Sequence, residues 1–170
     1  MKIIPIFAEK LYAFQYNREA EDEYTRLRRL WIDVEYLRQY ALQNNISDRR
    51  AFINEIRASA VYIADLVEDI IENKGKLEAF FKPLNNLESG IKVLSLQKGR
   101  RYKLRIYAIK IDENLFVITG GAIKLVFRMN EHEDTQREKM KLMTAKTFLQ
   151  HESVFDNDSF YELINEDYDD

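Results

Sequence analysis

The sequence predicts an α+β fold: a long helical hairpin packed on one face of a mostly antiparallel sheet, with a further helix towards the C-terminus. Three observations predict it. Apolar residues recur every three or four positions from about residue 19 to residue 73, then in twos from 91 to 127, and the polar turn Asp112-Glu113-Asn114 separates two of the alternating runs. The chain has 170 residues, 46% hydrophobic and 12% aromatic, with five Gly and two Pro, which suits one domain with a real core rather than disorder. Residues 1–154 read as that domain, and 155–170 as an acidic tail.

The first elements are two short extended runs, 3–7 and 11–16, around Ala8-Glu9-Lys10, which read as an early hairpin. From 19 to 43, Leu27, Leu30, Trp31, Val34, Leu37 and Ala41 form one apolar stripe at helical spacing. Asn44-Asn45-Ile46 breaks this helix, and Ser47, with Asp48 behind it, offers an N-cap for the next. The second helix carries Ile53, Ile56, Ala60, Ile63, Val67 and Ile70 as far as Asn73-Lys74-Gly75, so the two form an antiparallel hairpin.

After Pro83 the period becomes two, predicting strands at 91–96, 102–111, 115–118 and 123–127. Gly120-Gly121 admits two readings, a bend in the sheet or a bulge that lets another backbone approach. Thr135-x-x-Glu138 has the form of a capping box and opens a last helix through Leu142, Ala145 and Leu149.

Charge is polarised. Between Lys92 and Arg128 nine cations face two acids, whereas 156–170 holds seven acids and no base, in a chain of net charge −3. On a strand from 102, Arg101, Lys103 and Arg105 share one face with Tyr107, and Tyr102, Leu104 and Ile106 share the other, towards the helices. The cationic row, spaced by about 6–7 Å, matches a nucleic-acid phosphate repeat and Tyr107 offers a ring for a base; equally, it reads as the ordinary wet face of a sheet. The tail reads either as a disordered solubilising end or as a segment docked over the basic face.

No cysteine is present, which removes disulfides and thiolate metal sites and fits a reducing compartment. No apolar run reaches the roughly 18–20 residues of a membrane span, so a soluble cytoplasmic protein is expected. His132 among acids and His151 beyond the last helix have no converging partners, so no metal site is expected.

Two initial strand-like runs, a helical hairpin, then "FFKPLNN", "GIKVLSLQKGRRYKLRIYAIKIDENLFVITGGAIK" and a closing helix resemble the RelE/HigB-like bacterial toxins of type II toxin–antitoxin systems. The matching features are Leu84 before the sheet, the strand Tyr102-Lys103-Leu104-Arg105, the element Gly121-Ala122-Ile123-Lys124 and the helix containing Ala145. The resemblance covers residues 77–150 in motifs and 19–74 in architecture. It implies a RelE/ParE-like fold and a metal-independent, cofactor-free endoribonuclease that cuts messenger RNA, usually in the ribosomal A site, and is held inactive by an antitoxin. It also implies that Lys103 or Arg105, two residues apart in register, contacts the scissile phosphate together with Lys124. Arg101, Tyr107 and Arg128 are then further RNA contacts. The other reading is a non-catalytic relative that binds RNA or protein through the same basic face.

Overall fold

The computed structural model describes residues 1–84, 93–125 and 133–169. Among these, the strands are β1 (Lys2–Phe7), β2 (Leu11–Gln15), β3 (Lys82–Pro83), β4 (Ser95–Arg101), β5 (Leu104–Asp112) and β6 (Leu115–Ile123), and the helices are α1 (Glu23–Ile32), α2 (Val34–Gln43), α3 (Arg49–Glu72), α4 (Glu133–His151) and α5 (Asn157–Asp169). The strands form one sheet in the order β1-β2-β6-β5-β4-β3. Only β2 and β6 pair in parallel, so the fold is the α+β class that the periodicities predict. No helix among the described residues is long and apolar enough to cross a membrane.

The expected helix over 19–43 is two helices. Asp33 ends α1, its N–H bonding to the Leu30 carbonyl, and starts α2, its carboxylate accepting from the Tyr36 N–H. One aspartate therefore satisfies orphan groups of both ends and turns the chain without a glycine. At the next junction Asp48 rather than Ser47 is the cap, accepting from the Ala51 N–H. Helix α4 spans Glu133–His151, so Thr135 lies within it rather than at its first residue.

Alternate strand residues feed two cores. Leu104, Ile106 and Ala108 of β5 and Phe116 and Ile118 of β6 meet Leu27, Trp31, Phe52, Ile56 and Ile63 of the helical hairpin. The opposite face is also covered, contrary to the expectation of a wet face: Tyr107, Ile109, Ile111, Leu115 and Val117 pack with Leu142, Ala145 and Leu149 of α4 and Phe160, Leu163 and Ile164 of α5. The acidic terminal segment is thus a helix docked through its apolar side. Its start bonds to the β5–β6 turn, Asn157 N–H to Asp112 Oδ2, and Tyr161 donates to the Glu9 carbonyl.

Strand β6 runs unbroken through Gly120 and Gly121, with the register shifting so that Thr119 is an extra residue opposite Tyr107 and Ala108. The bulge and the glycines have different causes. A Cβ on Gly121 would lie 2.6 Å from the Arg105 carbonyl oxygen and 2.8 Å from Leu27 Cδ1, and one on Gly120 would lie 1.9 Å from Glu138 Oε2. Each glycine lets one helix close onto one face of the sheet. Because backbone is the obstacle at Gly121, Gly121→Ala is expected to destabilise by about 1–3 kcal/mol, lowering Tm by about 3–10 °C. An unchanged Tm in a thermal melt would show that the contact relaxes freely.

Candidate nucleic-acid interface

The β4–β5 hairpin turns at Tyr102-Lys103, between paired Arg101 and Leu104. This corrects the cationic row: Arg101 lies on β4, Lys103 in the turn and Arg105 on β5. The Lys103 ammonium swings to the helical-hairpin side, bonding both Glu55 carboxylate oxygens at 2.8 and 2.9 Å. Arg101 also faces α3, its guanidinium carbon 3.7 Å from the Tyr62 ring centroid. Tyr107 is 6% exposed within the second core and is closed to a stacking base. Arg128 and His132 lie outside the described residues.

The other face gathers a different set. Lys98 pairs opposite Tyr107 and Arg100 opposite Arg105, and residues directly opposite in a ladder project to the same side. On the neighbouring strand Ala122 stands opposite Arg105 and Gly120 opposite Tyr107, so no large β6 side chain intrudes. Lys124 follows, its N–H bonding the Lys103 carbonyl. Lys98, Arg100, Arg105 and Lys124 therefore collect at the end of the sheet away from α5. Arg105 and Lys124 both act on Lys98 and lie on the opposite sheet face from the Lys103 ammonium, so Lys103 is not gathered with them.

Electrostatics mark this cluster as unbalanced. Burial pushes the Lys98 ammonium down, and nearby Lys124, Arg105 and Arg100 push it further. The Arg105 guanidinium is likewise lowered, first by burial and then by Arg100. Most other buried or hairpin cations have carboxylate partners, as with Lys103 and Glu55 or Lys110 and Glu78, but none of the four clustered cations forms an ion pair among the described residues. Arg105 donates to the Tyr102 and Leu104 carbonyls, while its buried Nε has no partner. Like charges held together, with no counter-charge among the described residues, present a ready site for a polyanion.

Beside the cluster lies a compensated network. Lys141 of α4 bonds Glu23 Oε1 at 3.0 Å and Glu138 Oε1 at 3.3 Å, and Arg26 holds Glu23 Oε2 at 2.6 Å. Tyr16 donates to the Thr119 carbonyl at 2.6 Å. These contacts tie α1 to α4 at the β6 bulge. Burial, then Glu23, raises the Glu138 carboxyl against the pull of Lys141 and Arg26, and its Oε2 is buried without a partner.

A carboxyl raised by folding keeps a proton that the unfolded chain releases, so its contribution to stability falls as pH rises from 4.5 through the folded pKa. Subtracting the Tm–pH profile of Glu138→Gln from that of wild type should expose this falling component. A difference curve that is flat or rises with pH would contradict the assignment.

Lys98 and Arg100 are the residues that sequence reading passed over. Their signal was the hairpin turn itself, since a turn at 102–103 places Arg100 opposite Arg105. Compared with known proteins, the chain matches no family model, no curated protein and no solved structure.

Proposed function

We propose that this protein is a cytoplasmic, metal-independent endoribonuclease of the RelE/HigB-like toxin kind, acting on messenger RNA or the ribosome-bound message and restrained by a partner antitoxin. The observation that supports it is the cluster of Lys98, Arg100, Arg105 and Lys124, which forms no ion pair among the described residues. Arg105 and Arg100 hold the non-bridging oxygens of the scissile phosphate and stabilise the charge that grows there. The 2′-oxygen attacks phosphorus, its proton passing to a base, while the bond to the 5′-oxygen breaks and that oxygen takes up a proton. Lys98, its ammonium made more acidic by burial and by its neighbours, is the proton donor.

The reading is tested by incubating purified protein with RNA in excess chelator. Fragments ending in 2′,3′-cyclic phosphate and 5′-hydroxyl are expected, together with growth arrest on expression without a partner. Intact RNA and normal growth, with soluble wild-type protein, would overturn it. That result would favour the second reading, a non-catalytic relative that binds RNA. One arrangement favours this alternative: Glu138 is engaged with Lys141 and Tyr107 is buried, which leaves Lys98 to supply the acid–base chemistry.

A further inference from the structure

The tip of the β4–β5 hairpin carries an arrangement that phosphate binding does not use. Arg101 lies with its guanidinium carbon 3.7 Å from the Tyr62 ring centroid and 4.3 Å from that of Tyr102. Both rings reach solvent, Tyr62 being 45% and Tyr102 64% exposed. Neither ring belongs to the cores, and the Arg101 Nε is buried without a hydrogen-bond partner.

Tyr102 is also placed at a cost. It occupies the first position of a two-residue turn with φ 50°, a left-handed conformation for which such turns ordinarily select glycine. A bulky aromatic there is uncommon, and backbone strain of this kind collects at binding sites. The Tyr102 ring stands exposed beside the Arg101 guanidinium. Its backbone is joined to the basic cluster, because Arg105 donates to the Tyr102 carbonyl and the Lys124 N–H bonds the Lys103 carbonyl.

We infer that Tyr62, Arg101 and Tyr102 form a stacking platform for an unpaired nucleobase, so that a single-stranded RNA whose phosphates lie on Arg100, Arg105 and Lys124 lays a base on the exposed Tyr102 ring at the hairpin tip. The inference rests on the RNA-binding part of the proposed function. An aromatic face backed by a cation suits any base, because every base has a π-face. Duplexes, whose bases are already stacked, and abasic polyanions gain nothing from it.

The experiment compares a single-stranded RNA oligonucleotide with an abasic phosphodiester oligomer of equal length, by fluorescence anisotropy. Wild type is expected to prefer the RNA by about tenfold. Tyr102→Gly, which removes the ring and suits the left-handed backbone, should abolish that preference while keeping the fold, the abasic affinity and the salt dependence. Tyr62→Leu should weaken the preference in the same direction. RNA affinity unchanged in Tyr102→Gly would overturn the platform and leave the phosphate cluster standing, whereas wild type binding neither oligomer would overturn both.

Discussion

Arg105→Ala combined with Lys124→Ala is expected to weaken RNA binding by about 100-fold or more at moderate salt, since contacts to charged groups are each worth about 1.5–3 kcal/mol. The loss should come without collapse of the fold. Both side chains lie at the rim of the second core, Lys124 exposed and Arg105 half-buried, and both belong to a set of cations that repel one another. Lys98→Gln removes a charge that folding disfavours, so it should lower affinity while leaving thermal stability equal or higher. Gel-shift titration alongside a thermal melt separates the two effects. A double variant that melts like wild type and binds RNA equally well would remove the cluster from consideration.

Phe160→Ala is expected to cost about 3–5 kcal/mol, a fall in Tm of about 6–20 °C, because the ring is fully buried and meets Tyr12 edge-on at 5.0 Å. The acidic segment is thereby part of the core rather than an appendage. A chain ending at His151 would uncover Tyr12 and remove Phe160, Leu163 and Ile164 from the second core, and so is expected to aggregate. The charge of α5 is a separate matter. Its start bonds to Asp112, about 24 Å along β5 from Arg105 at the usual strand rise. Neutralising exposed Asp158 and Glu162 should therefore change RNA affinity by less than about twofold. A wild-type melt from Phe160→Ala would contradict the docking of α5.

The helical hairpin was legible because a 3.6-residue period needs no distant information. Its break at Asp33 was hidden, since Leu30, Trp31, Val34 and Leu37 keep the spacing through the junction. Burial of both sheet faces had a signal in Leu115–Ile123, whose nine residues are all buried and read as a nearly continuous apolar run rather than an alternation. The site was legible only in part. The turn at Tyr102-Lys103 has no Gly, Asn or Asp, and alternation from 102 onward absorbed it into a strand. Missing those two residues put Arg101 and Lys103 on the face of Arg105, when both point to the α3 side, and left Lys98 and Arg100 unnoticed. The Glu23–Lys141–Glu138 network joins residues more than a hundred positions apart and leaves no local trace.

The salt dependence of wild-type binding to single-stranded RNA reports how many of these cations meet phosphates. Four clustered cations engaging phosphates predict a slope of log K against log salt of about −3, falling to about half that in the Arg105→Ala, Lys124→Ala variant. A slope near zero, or one that the double variant leaves unchanged, would contradict the assignment of Lys98, Arg100, Arg105 and Lys124 as the RNA-binding face.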